Sequence, residues 1–146
     1  MGKWLVRIDV GGTFTDGWAR SPEGDEIRCK VLSSGIIRTR VAGLDGDWVD
    51  CECPLSGHSA GLEGFTLRSG GLVLDSNPLE GRLKLDRSAS IGETLELVSG
   101  EDAPLVAARI LTGTAVGKTF PEMDLRVATT RGTNALLEGK GEPVTL

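Results

Sequence analysis

The chain has no tyrosine, one histidine and three cysteines in 146 residues. Three cysteines, an odd number, do not build a disulfide framework, and they point to a reducing, cytoplasmic setting. Any histidine-dependent triad would have to use His58, which lies in a glycine–serine loop with no nucleophile motif beside it. Aromatic residues make up only 4%, and Trp4, Trp18 and Trp48 are too scattered for a stacking platform. No apolar run approaches the ~18 residues of a membrane-spanning helix. Asp9 interrupts the N-terminal apolar stretch, which argues against a signal peptide. Positive charge is also short. Sixteen Lys and Arg against 21 Asp and Glu give a net charge of −5, so nothing draws the whole molecule to nucleic acid or to an anionic membrane.

Glycine is abundant instead, with 21 residues, about twice the ~7% average. It has no three-residue period, so collagen is excluded, and its uses are turns, bulges and close backbone approaches. A hydrophobic content of 39% with 25% charged residues fits a globular protein and argues against disorder. The length suits one domain, or one compact unit with an insertion.

Lys3 to Val10 alternates, with Trp4, Val6, Ile8 and Val10 on one side and Leu5, Arg7 and Asp9 on the other, which predicts a strand. Gly11-Gly12 turns the chain into a returning strand, Thr13 to Arg20, and a third strand spans Glu26 to Leu32. These three form an antiparallel meander. Residues 33–98 then read as an all-β insertion, a barrel or sandwich. Its candidate strands are Ile36–Leu44, Asp47–Cys53, Leu62–Arg68, Leu72–Leu74, Leu79–Asp86 and Thr94–Val98. Ser99-Gly100-Glu101-Asp102 has a capping-box pattern before a helix that ends near Gly113. Asp124 to Thr129 is a further strand, and Gly132 to Glu138 a short helix. Pro143 to Leu146 begins another strand as the sequence stops, which suggests a piece of a longer enzyme.

The sharpest motif is Asp9-Val10-Gly11-Gly12-Thr13-Phe14-Thr15-Asp16. Gly11 and Gly12 carry no side chain, so backbone N–H groups can approach phosphate oxygens. Thr13 and Thr15 add hydroxyl donors. Asp9 suits a Mg²⁺ ion that neutralises those phosphates, and Asp16 an assisting base or metal role. The plainer reading is a Gly-Gly hairpin with polar threonines. The string is neither a Walker A loop nor a dinucleotide fingerprint. A second motif, Leu125 to Glu138, delivers Thr129, Thr130, Thr133 and Asn134 to a predicted helix N-terminus. That arrangement suits a carboxylate, a phosphate or a polarised carbonyl, or is ordinary helix capping.

The Asp-x-Gly-Gly-Thr core resembles the first phosphate motif of the actin-like ATPases. Together with Ala128-Thr129-Thr130-Arg131-Gly132-Thr133-Asn134, and with the stretches Gly92–Leu97 and Ala103–Arg109, it looks like the N-terminal region of the hydantoinase/5-oxoprolinase family. The resemblance implies an α/β (α+β) fragment, a partial actin-like, ribonuclease-H-like lobe formed by residues 1–32 and 99–146 with the all-β insertion between. It implies ATP and Mg²⁺ as cofactors and a cyclic amide as substrate, with ring opening coupled to ATP cleavage. Phosphorylating the oxygen of an unstrained lactam makes its carbonyl a far better electrophile. Asp9 and Asp16 would be catalytic, with Asp9 also the metal ligand. Gly11, Gly12, Thr13 and Thr15 would hold the nucleotide, and Thr129, Thr130, Thr133 and Asn134 would form a substrate-side wall. The full enzymes are many times longer, so the remaining domains are expected partners and the chain alone is expected to be inert. Apolar surface exposed by truncation would favour homo-oligomers. The alternatives are an actin-like small-molecule kinase and a non-catalytic nucleotide sensor or interaction module.

Two further groups invite a role. Cys51-x-Cys53 with Cys29 and His58 lacks finger spacing, and buried small apolar residues explain the cysteines better than zinc does. Arg38 and Arg40, two apart on one strand face, read as a solvated or ion-paired face ahead of a substrate-anion contact.

Overall fold

The computed structural model describes residues 2–52 and 61–129. Ten strands and one helix follow in chain order: β1 Trp4–Val10, β2 Phe14–Arg20, β3 Glu26–Leu32, β4 Ile37–Asp45, β5 Trp48–Cys51, β6 Thr66–Leu67, β7 Val73–Asn77, β8 Arg82–Leu85, β9 Thr94–Val98, α1 Ala103–Thr112 and β10 Met123–Thr129. The first sheet is mixed, in the order β10-β1-β2-β3, with β10 parallel to β1 and the other pairs antiparallel. The second is antiparallel, β6-β9-β4-β5-β8-β7. Its outer strands nearly meet: Val73 N donates to the Phe65 carbonyl at 2.9 Å and a bridge joins Thr66 to Leu72. The six strands therefore form a nearly closed barrel, which largely removes the exposed sheet edges.

This architecture corrects the expected fold class. The described chain is mostly β, with one short helix, a mixed four-strand sheet and a six-strand barrel. It is not an α/β actin-like lobe. Such a lobe needs helices alternating with parallel strands, whereas the described residues hold one parallel pair and a ten-residue helix. The helix expected from Gly132 lies outside the described residues. No described helix is long and apolar enough to cross a membrane.

Alternation drives the packing. Val6, Ile8 and Val10 turn one face of β1 inward, where they meet Val106, Ile110 and Leu111 of α1 in a core continuous with the barrel's Leu83, Leu95 and Leu97. Helix and sheet approach closely at Gly17. A Cβ there would stand 2.8 Å from both Cys29 Sγ and Leu111 Cδ1.

Arg109 joins the helix to the segment that follows it. Its guanidinium forks onto Glu101 at 2.6 and 2.7 Å, donates to the Ala115 carbonyl at 2.7 Å and lies 4.6 Å from the Phe120 ring centroid. Arg109 is buried, and its fork holds the Glu101 carboxyl below the usual carboxylate range. The expected capping box is not formed, because the helix is capped at Asp102 and not at Ser99. Asp102 is the N-cap and makes no side-chain cap bond, while Glu101 serves Arg109. Gly113 caps the helix in the left-handed conformation.

Candidate functional site

The Gly11-Gly12 turn sits at the carboxyl end of β1, beside the carboxyl end of the parallel strand β10. Gly11 N donates to the Phe14 carbonyl at 3.0 Å, closing the turn. A Cβ on Gly11 would lie 2.7 Å from that same oxygen, so glycine is required there by backbone contact. Gly12 differs: nothing lies within 4 Å of where its Cβ would stand. Gly12 and Thr13 are both exposed.

Ser33 fixes this turn, and sequence reasoning passed over it. Its hydroxyl donates to the Gly11 carbonyl at 2.7 Å and lies 3.0 Å from the Thr15 hydroxyl, while its N–H donates to the Thr13 carbonyl at 2.8 Å. The available signal was its place in Ser33-Ser34-Gly35, a turn directly after a strand.

The sequence-predicted residues divide between the two faces of the four-strand sheet. Thr15 is fully buried on the α1 side. On that side a cavity of about 300 Å³ is lined by Val10, Ser33, Asp102, Ala103, Pro104 and Thr129. The N-terminus of α1 borders this cavity, and the Thr129 hydroxyl donates to the Val10 carbonyl at 3.3 Å. Asp9 and Asp16 lie on the opposite face. They are directly opposite each other in the β1–β2 register, both exposed, in a depression of about 460 Å³ shared with Trp18 and Arg28. Lys30 Nζ stands 3.8 Å from Asp16. Thr130, Thr133 and Asn134 lie outside the described residues.

Comparison of the chain with protein-family models, curated proteins and solved structures finds no match.

The donors suit the expected ligands in part. An exposed glycine turn with room at Gly12 can receive an anion on its backbone. Two facing carboxylates are a donor set for a hard divalent cation, but they share no face with Thr15. Among the described residues, no group of three or more His, Cys, Asp or Glu is placed to share a metal ion. Of the cysteines weighed for zinc, Cys29 lies on β3 and Cys51 on β5, and Cys53 and His58 fall outside the described residues. Burial, reinforced by the nearby Asp16 charge, pushes the Cys29 thiol up to about 12.

Proposed function

We propose that this chain is the N-terminal, phosphate-binding part of an ATP-dependent hydrolase of cyclic amides. The observation that carries the reading is the exposed Gly12–Thr13 turn, pinned by Ser33 at the carboxyl ends of the parallel strands β1 and β10. The N-terminus of α1 borders the adjoining cavity and favours negative charge. Gly11 shapes the turn, Gly12 leaves room for a phosphate, Thr13 supplies an exposed hydroxyl, and the buried Thr15 hydroxyl braces Ser33 beneath the turn. Asp9 and Asp16 are the pair that would hold Mg²⁺. Thr129 is the described member of the substrate wall. Bound there, ATP would supply the phosphoryl group that activates the ring carbonyl.

Gly12→Val is the deciding variant, because a side chain there meets open space and leaves the fold intact. Amide NMR of the 146-residue chain titrated with Mg·ATP is expected to move Gly12, Thr13 and Thr129. Binding should be lost in Gly12→Val and should lose its Mg²⁺ dependence in Asp9→Asn. In protein carrying the downstream sequence, ATP turnover is expected to rise with 5-oxoproline or a hydantoin and to vanish in Asp9→Ala. Unchanged Mg·ATP binding by Gly12→Val overturns the assignment of the turn. Binding without ring-stimulated turnover replaces the hydrolase with a nucleotide sensor.

A further inference from the structure

A second cavity, of about 490 Å³, opens where the four-strand sheet meets the barrel. It falls within the 300–1,000 Å³ range of small-molecule sites, which favour such junctions. Its apolar lining comes from the half-buried Leu32 and Ile36, while Val31 and Ile37 border it with side chains buried in the core. Its walls are an aromatic ring and three cations. Phe14 is 46% exposed, an unusual cost for a ring in a chain with so few, and Lys30 Nζ stands 5.1 Å from its centroid. Arg38 and Arg40 project from alternate positions of β4, opposite Glu96 and Thr94 of β9.

The three cations are not equally engaged. Arg38 is held by Glu96 through two bonds of 3.0 and 2.8 Å. Lys30 has Asp16 at 3.8 Å. Arg40 gives its Nε to the Gly92 carbonyl at 3.1 Å, and its Glu52 contact is loose at 3.8 Å, with both side chains more than half exposed. An exposed pair of that length is worth little, so an oxyanion can displace Glu52 and take a charge-assisted bond from the guanidinium. The half-exposed Phe14 ring, beside Leu32 and Ile36, offers a stacking surface for a flat ring.

We infer that this cavity is a binding site for a small aromatic ring carrying a phosphate or carboxylate, the ring stacking on Phe14 and the oxyanion meeting Arg40, with Lys30 supporting it. The site adjoins the glycine turn, since Phe14 follows Thr13 directly, but it shares no lining residue with the cavity at Ser33 and Thr129 and does not depend on the nucleotide reading.

The test is amide NMR of the 146-residue chain titrated with phenyl phosphate, benzoate, AMP, inorganic phosphate and adenosine. Phenyl phosphate or benzoate is expected to shift Phe14, Lys30, Arg40 and Thr94 together. Arg40→Gln is expected to weaken that binding about tenfold and Phe14→Ala about fivefold, while Gly12→Val leaves it unchanged. Inorganic phosphate and adenosine, each lacking one half of the recognition, are expected to bind at least about tenfold more weakly. Both substituted residues are exposed, and amide dispersion verifies that each variant is folded. Shifts centred on Gly12, Thr13 and Thr129, binding indifferent to both Arg40→Gln and Phe14→Ala, or no shift at millimolar ligand would each overturn the proposal. The first of these would still support the phosphate turn, so the two readings fail separately.

Discussion

Replacing Arg109 with methionine keeps most of the side chain's length and removes its charge and donors. The arginine has a side-chain exposure of 7%, against 23% for its partner Glu101. The substitution removes the fork onto Glu101, the bonds to the carbonyls of Ala115, Lys118 and Thr114, and the contact with the Phe120 ring. Removing one member of a buried pair costs about 3–5 kcal/mol, because the other charge stays behind unpaired. Glu101 is near enough to water to recover part of its solvation, so the lower end, about 3 kcal/mol, is the expected loss. That is a large share of the 5–15 kcal/mol typical of a domain. Urea unfolding followed by tryptophan fluorescence reads it as a lower midpoint. The slope should also fall if the loop after α1 holds the sheet to the barrel, since Val116 N donates to the Glu63 carbonyl there. A double-mutant cycle with Glu101→Gln should show coupling above about 1 kcal/mol. An unfolding free energy within about 1 kcal/mol of wild type would refute the claim that this pair anchors the helix.

Four other outcomes are expected. Hydrogen bonds from arginines, and from the Ser90 amide to Glu93, hold Glu101, Glu96 and Glu93 below their ordinary 4.5. The unfolded chain then binds more protons, so their stabilisation is complete above 4.5 and is lost as pH falls through the folded values. A urea midpoint that stays flat from about pH 5 to about pH 3 would contradict this. Ser33→Ala removes the pin on the glycine turn and should cost about 1 kcal/mol, with faster amide exchange at Gly11, Thr13 and Thr15 read by NMR. Gly17→Ala pushes a methyl against Cys29 and Leu111 and should lower stability by about 1–3 kcal/mol, measured by thermal unfolding. Cys29, with its thiol raised to about 12, should resist alkylation at about pH 8 until the protein is unfolded, as mass spectrometry would show.

Strand positions were legible because alternation is a local signal. Val6, Ile8 and Val10 are buried and Asp9 is exposed, as the period of two requires. The strand read at Thr94–Val98 has those same bounds in the structure. The candidate Leu62–Arg68 shrinks to the two residues of β6, because Leu62 and Phe65 spend their apolar surface inside the core from a turn, with Phe65 N bonded to the Leu62 carbonyl. Composition could not separate such a turn from a strand. The capping box failed for a different reason. The helix is capped three residues beyond Ser99, at Asp102, and the Ser99 hydroxyl accepts from the Glu101 amide instead. The fold class failed because motif resemblance carried an architecture that the count of strands to helices does not support. The split of the site was, by contrast, available in advance. Asp9 and Val10 are neighbours in one strand and must face opposite ways, so Asp9 cannot share a face with the side chains around Val10. Ser33 was missed because its role is fixed by tertiary approach of two turns 22 residues apart.

The pairing of β1 with β10 also sets an order in time. Trp4 is matched to Met123 and Val10 to Thr129, with a hydrogen bond spanning 119 positions of sequence. A ribosome makes β1 early and β10 more than a hundred residues later. Throughout that interval the meander β1-β2-β3 carries a raw edge along β1 in addition to the β3 edge that the finished sheet keeps, while the barrel forms from the residues in between. Closing so long a loop is slow relative to hairpin formation, so β10 is expected to join β1 only after the hairpins of the meander and barrel have formed. Until it arrives, the β1 edge is the place where a nascent molecule is open to pairing with another copy of itself.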